Sequence, residues 1–321
     1  MADTASAPLV SIEVEFPNLS RHAPGNTGIP YAWSFTASRP GPHVLVQALT
    51  HGNEVCGAIA LDWALREKLR PARGTLSIVF ANVAAYLSFD PANPFTSRCV
   101  DEDFNRLWTA DVLDGPRDSS ELRRARELRP LYDGVDYLLD LHSMSDPCPP
   151  LAMTGLRRKS LDLARKLGVP GHIVIDAGHS AGRRLRDYAF FDDADDPRCA
   201  LLVECGQHWE RSAAELAKQS MLRFLDHFEL AERGVLAGSL DHSPPPSQRL
   251  IEVTTTVTIG SDRFSFTMPV QPMQVIARAG TTYALDGETA IRTPHDDCVL
   301  IMPTRRPKRG ETAVRLGRYV G

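Results

Sequence analysis

Two short stretches place metal-binding side chains at the ends of apolar runs. In HVLVQALTHGNEVCGAIALD, residues 43–62, the segment from Val44 to Leu49 reads as a buried strand, and Val55, Ile59, Ala60, Leu61 and Ala64 have helical spacing. His51 and Glu54 lie where one hands over to the other. Strand-to-helix loops at the carboxyl ends of α/β sheets are where ligands gather, and an imidazole and a carboxylate three residues apart suit one cation. A histidine there also reads as a hydrogen-bonded residue near the surface. LLDLHS supplies a candidate third donor, because His142 also ends an apolar run and must come from a different strand. Two ligands close in sequence and one far away is a common layout for a hydrolytic zinc site.

Two further segments keep company with these donors. SRCVDEDFNRLW, residues 97–108, has little periodicity and reads as a loop. Its Arg98, Asn105 and Arg106 are suited to hold an anionic substrate or polarise a carbonyl, since arginine pairs with carboxylate bidentately and asparagine adds a neutral donor. The same loop also reads as a salt-bridged surface turn with Asp101, Glu102 and Asp103 as partners. In LLVECGQHW, Glu204 closes an apolar strand, where a carboxylate must be paired or do chemistry. A partly buried glutamate beside an activated water can act as general base and then as acid.

The elements that must position these residues alternate between strand and helix over the first two-thirds of the chain. VSIEVEF, IPYAWSF, GTLSIVFANV, VDYLLDLHS, HIVIDAG and CALLVECG read as strands. Residues 55–70 and 211–232 read as helices, and SSELRRARELRPL, residues 119–131, as a helix whose arginines face solvent. This alternation predicts an α/β sheet with helices on both faces. GSLDHSPPPSQ then reads as a linker, about 238–247, between a domain over 1–237 and a small all-β domain over 248–321 built of short runs such as LIEVTTTVTIG and CVLIMP.

Composition narrows the function classes. With a net charge of −4, the chain has no electrostatic case for nucleic acid or an anionic membrane surface as partner. No run of 18 apolar residues is present, so no membrane span is expected. The opening residues lack the basic and apolar regions of a signal peptide, which points to the cytoplasm. Six scattered cysteines without a C-x-x-C pair argue for ordinary buried thiols over disulfides or a zinc-thiolate site.

HGNE, DFNR, DLHS and VECG, in this order and spacing, resemble the succinylglutamate desuccinylase/aspartoacylase family over roughly residues 40–210. The β-rich tail resembles that family's C-terminal domain. The resemblance implies a three-layer zinc carboxypeptidase-like α/β domain with a mixed sheet, plus the small all-β domain. It implies one zinc per chain on His51, Glu54 and His142, with Glu204 activating water and then protonating the leaving nitrogen. It also implies Arg98 as the group that polarises the scissile carbonyl, and Asn105 with Arg106 as the grip on the substrate's α-carboxylate. DFNR stands where DLNR is more usual in the family. GRRLRDYAFFDDADDPRCA does not align with the family segment that reads the acyl side chain, so Arg183, Arg184 and Arg186 stand either as substrate contacts or as surface charge.

The implied activity is zinc-assisted hydrolysis of the amide bond of a small N-acyl amino acid or related amide carrying a carboxylate. A carboxypeptidase-type peptidase and a non-catalytic metal-binding protein are the alternatives. In the resembling family the β-rich tail narrows access to the zinc, which disfavours long peptides, and a degenerate site would not need Glu204. The expected partner is a small molecule, and self-association into a homo-oligomer is compatible with it.

Overall fold

The structure, a computed structural model, describes residues 11–178 and 181–321. Among these, eleven strands form one mixed sheet in the order β1 (Ala32–Thr36), β3 (Thr75–Phe80), β2 (His43–Ala48), β4 (Tyr137–Met144), β7 (Cys199–Gln207), β5 (Leu151–Thr154), β6 (His172–Ile175), β8 (Arg249–Thr258), β14 (Thr312–Val320), β13 (Cys298–Ile301) and β10 (Val275–Ile276). A separate antiparallel sheet runs β12 (Thr289–Arg292), β11 (Thr282–Asp286), β9 (Phe264–Phe266). The central strands β3, β2, β4 and β7 are parallel neighbours, which brings their carboxyl ends to one edge.

Side-chain alternation along these strands builds the three layers. Val44, Val46 and Ala48 of β2 join a core with the helices Val55–Arg66 and Arg211–His227 on one face, whereas Leu45 joins Leu138 and Ala200 under the helix Ser120–Asp133 on the other. Both faces of the central strands are therefore covered, and their near-continuous apolar composition follows. No helix among the described residues is long and apolar enough to cross a membrane.

The C-terminal strands are hydrogen-bonded into the main sheet. β8 pairs in parallel with β6, from His172 opposite Arg249 to Ile175 opposite Glu252, so the ladder is continuous past the proline-rich segment. Leu202, Val174, Ile251, Val299 and Ile301 share one apolar cluster across that junction.

Four expectations about elements are corrected. Of VSIEVEF, Val10 lies outside the described residues and 11–16 form no strand. The segment is instead tied by the amide of Glu13 to the Trp209 carbonyl at 3.0 Å and by Phe16 against Phe89. The helix read to residue 70 stops at Arg66, and the one read to 232 stops at His227, before a separate short helix Arg233–Ser239. The residues of 119–131 do more than face solvent. Arg124 Nε donates to the Ala81 carbonyl at 2.9 Å and Arg126 Nε to that of Leu113 at 2.7 Å. Fully buried Glu121 accepts the backbone amides of Val100, Asp101 and Glu102 at 2.6, 3.0 and 3.2 Å.

Candidate active site

The handover after β2 is made by a left-handed residue and a close approach. Leu49 has φ of 61°, a conformation side chains avoid unless surrounding packing enforces it. Gly52 lies so near the backbone of Ala85 and Ser97 that a Cβ would come within 2.4 Å of it, and its amide donates to the Arg98 carbonyl at 3.0 Å. A glycine here therefore docks the Arg98 segment directly against the His51 loop.

His51, Glu54 and His142 converge, all at most 3% exposed. Glu54 Oε1 lies 2.6 Å from His51 Nδ1, and Glu54 Oε2 lies 2.8 Å from His142 Nδ1. The candidate ligand atoms all fall within 4.8 Å of one another. Glu54 Oε2 is buried and, despite that short approach, makes no aligned hydrogen bond. Donors around a tetrahedral zinc with ~2.1 Å bonds stand roughly 3.4 Å apart. Two imidazole nitrogens and a carboxylate with one orphaned oxygen make a donor set of the kind zinc takes, although Glu54 stands nearer to each histidine, at 2.6 and 2.8 Å, than bound donors would.

Each imidazole is oriented from behind. His142 Nε2 donates to Asp140 Oδ2 at 2.8 Å, and His51 Nε2 lies 2.9 Å from both Asp103 Oδ1 and Arg98 Nη2, with both Nδ1 atoms turned toward Glu54. Arg98 Nη2 donates to Asp103 Oδ2 at 3.0 Å, and Nη1 lies 3.6 Å from Glu54 Oε1. Glu204 stands directly opposite His142 in the β4–β7 ladder, immediately before a register irregularity that re-aims the strand end. Burial pushes its carboxyl up to about 7, although His142 and Arg98 pull the other way, and Oε2 has no partner.

The loop containing Asn105 and Arg106 joins this group, but not as a free pair of donors. Asn105 Oδ1 accepts the amide of Leu185 at 2.9 Å, so its side-chain NH₂ is the part left for a ligand. Arg106 Nη1 donates to the Asn105 carbonyl at 2.8 Å, and Nη2 lies 3.7 Å from Asp103 Oδ2.

The three close arginines divide. Arg183 is a surface residue paired with Asp192 at 3.0 Å. Arg184 and Arg186 are 3% exposed, which corrects the surface reading for these two. They join Arg315 of β14 around buried Asp176. Arg184 Nη2 and Arg315 Nε share the single oxygen Asp176 Oδ2 at 2.8 and 2.9 Å, and Arg186 Nη2 reaches the Asp176 carbonyl at 2.8 Å. Arg184 Nη1 and Arg186 Nε are buried without a hydrogen bond, and Arg186 Nη1 makes none either but lies 3.5 Å from Asp187 Oδ1.

Burial alone would raise the Asp176 pKa, but Arg184, Arg315 and Arg186 outweigh it and hold the carboxyl well below the ordinary carboxylate range. A depressed folded pKa contributes stability that is present above the unfolded value, near ~3.9, and lost as pH falls below it. Asp176→Asn is expected to lose ~3–5 kcal/mol at neutral pH, because the arginines it pairs are left without a counter-charge. It should also show a shallower loss of stability below pH ~4. Urea titrations of both proteins at several pH values check this, and parallel curves of equal height would remove Asp176 from the account.

Sequence reasoning named the three donors, Arg98 and Glu204, and the fold brings these together. It missed Asp140, Glu121 and Arg315, and had Asp103 as a salt-bridge partner of the loop arginines, as found, but not as a contact of His51. Asp140 carried a signal, since residues two apart on a strand share a face and Asp140 precedes His142 by two.

The model of the succinylglutamate desuccinylase/aspartoacylase catalytic domain matches residues 40–227. A "probable aspartoacylase" of Parasynechococcus marenigrum is 36% identical over 176 residues, 51% of this chain and 52% of that protein. An N-acyl-aromatic-L-amino acid amidohydrolase (carboxylate-forming) of Rattus norvegicus is 32% identical over 117 residues, 33% of this chain and 34% of that protein. The chain thus spans about half, or less, of the length of these curated relatives. The solved succinylglutamate desuccinylase of Vibrio parahaemolyticus shares the fold with a TM-score of 0.66 at 16% identity, covering 91% of this chain and 87% of that one. The product-bound ectoine utilization protein EutE (DoeB) of Ruegeria pomeroyi does so with a TM-score of 0.62 at 15% identity, covering 89% and 88%. Because the catalytic-domain match takes in more than half of its residues, the chain belongs to the succinylglutamate desuccinylase/aspartoacylase family.

Proposed function

We propose that this protein is a zinc-dependent deacylase that hydrolyses the amide bond of a small N-acyl amino acid or related amide bearing a carboxylate. The observation that carries the reading is the meeting of His51, Glu54 and His142, with Glu204, whose Oε2 has no hydrogen-bond partner, opposite His142 across the β4–β7 pair. Zinc held by His51, Glu54 and His142 would supply Lewis acidity, enough to polarise an amide oxygen and to make water acidic toward a pKa of ~7. Glu204 takes the proton of the attacking water and returns it to the leaving nitrogen. Arg98, with a side chain 39% exposed beside the three donors, directs its guanidinium at the charge developing on the carbonyl oxygen.

A carboxylate on the substrate is supported by the cationic surplus. Burial pulls Arg106 down to about 10, Asp103 opposes it, and Arg184, Arg98 and Arg315 add like charge. Such a group gains most from an incoming anion. All six cysteines are free, which supports a reducing cytoplasmic location.

Zinc-loaded protein assayed on N-acyl amino acids and on C-terminal peptides separates the deacylase from the peptidase, and turnover of neither class rejects the enzymatic reading. The carboxylate grip has its own test. Arg106→Lys keeps the charge but loses the planar fork, so KM for an N-acyl amino acid should rise while KM for its carboxamide analogue changes little. Contacts equal in ground and transition states appear mainly in KM. Equal losses on both substrates would show that Arg106 does not read the carboxylate.

A further inference from the structure

We infer that Gln47, its amide held between Tyr132 and Asp140, is a positioning residue that sets which nitrogen of His142 faces the cation. The inference rests on the metal-site reading above and concerns a buried polar chain behind it. Gln47 of β2 stands opposite Asp140 of β4 in the parallel ladder. It points toward the helix Ser120–Asp133, where Tyr132 meets it. Gln47, Thr50, Asp140 and Tyr132 are all fully buried, so every polar atom must find its partner inside the protein.

Following the donors fixes the direction of the whole chain. The Tyr132 hydroxyl donates to Gln47 Oε1. With its oxygen so engaged, the amide must present its NH₂ on the other side, and Nε2 donates to Thr50 Oγ1 at 2.8 Å and to Asp140 Oδ1 at 3.1 Å. Thr50 Oγ1 in turn donates to Asp140 Oδ1 at 2.9 Å. Two donors occupy that oxygen, and Oδ2 is left to accept from His142 Nε2 at 2.8 Å. An imidazole whose hydrogen is on Nε2 carries its lone pair on Nδ1, the atom that faces Glu54. A flipped Gln47 amide would set two acceptors, Oε1 and Asp140 Oδ1, against each other. Asp140, which can only accept, excludes that flip, and the Tyr132 hydroxyl fits the resulting orientation by donating to Oε1.

Thr50 extends the same control to the other ligand. It immediately precedes His51, so one oxygen of Asp140 ties the His51 loop to the carboxylate that holds His142. Both histidines are thereby referred to one internal fixture, reached from the far helix through Gln47.

Zinc affinity, measured by competition with a chelator on Gln47→Leu, Tyr132→Phe, Asp140→Asn and the Gln47→Leu/Asp140→Asn double variant, tests this without reliance on turnover. Gln47→Leu should weaken zinc binding about 10–100-fold, the usual scale for partners behind a ligand. Tyr132→Phe, which removes one oxygen and keeps the ring, should weaken it less but in the same direction. If Gln47 acts through Asp140, Gln47→Leu adds little once Asp140 is already asparagine. The visible spectrum of the cobalt-loaded variants should change as well, which a purely structural role would not produce. Affinities within about twofold of the parent for both Gln47→Leu and Tyr132→Phe, or losses fully additive in the double variant, overturn the inference. A parent protein that takes up no zinc overturns the metal reading and this inference with it.

Discussion

Glu204→Gln is expected to fold, to take up zinc as the parent does, and to hydrolyse N-acyl amino acids about 10²–10⁴-fold more slowly, the scale of a lost general base. The expectation follows from position and surroundings together. Glu204 is 8% exposed, is not one of the three donors, and stands across the strand from one of them. An amide of the same size keeps the packing of β7 but cannot accept a proton from water. The loss should fall mainly on kcat, because the residue acts on the reacting atoms and not on the rest of the substrate. Zinc content measured alongside the rate separates this from site collapse. Retention of more than about a tenth of the activity, against the usual general-base loss, would assign the role to another group.

His142→Ala should have a larger effect still. It removes one donor and leaves Asp140 Oδ2, buried, without the imidazole it accepts from, and Glu54 Oε2 without its neighbour at 2.8 Å. Both the Lewis acid and the activated water depend on the ion, so activity should fall beyond that of Glu204→Gln. Elemental analysis after dialysis should find well under one zinc per chain, and the parent about one, as expected for a three-donor site. Full occupancy in His142→Ala would mean that the ligand set is wrong.

Much of this site is legible in the sequence because its polar residues interrupt apolar runs. His51 follows the buried strand His43–Ala48 by three residues, whereas His142 and Glu204 lie inside Tyr137–Met144 and Cys199–Gln207, which run on beyond the ends expected for them; polar residues so placed among buried apolar ones are either paired or reactive. Asp103 and Glu121 are harder to read, since their importance lies in contacts made only after folding. Glu121 looks like any acid in a charged helix, yet it gathers three backbone amides of the Arg98 loop. Arg184 and Arg186 are surface-like in composition and become buried because Gly182 and Leu185 dock against Arg106 and Asn105. Among the elements, the central strands follow from near-continuous apolar runs. TAVRLGRYV of β14 and TYALD of β11 escape such reading because Arg315, Gly317 and Arg318 in one, and the brevity of the other, dilute the pattern. In the opposite direction, the alternation in VSIEVEF suggests a strand, but alternation alone does not supply a neighbour to pair with.

The parallel ladder between β6 and β8 has a practical meaning for anyone dividing the molecule. The proline-rich segment before Arg249 is an inviting place to cut. A chain ended there would lose the partner along His172–Ile175 and leave a row of unpaired amides and carbonyls on an open edge. It would also strip Arg315 from Asp176 and uncover Val174 and Leu202 where Ile251, Val299 and Ile301 had lain. Such a fragment should clump through that edge, even though every candidate zinc donor would still be on board.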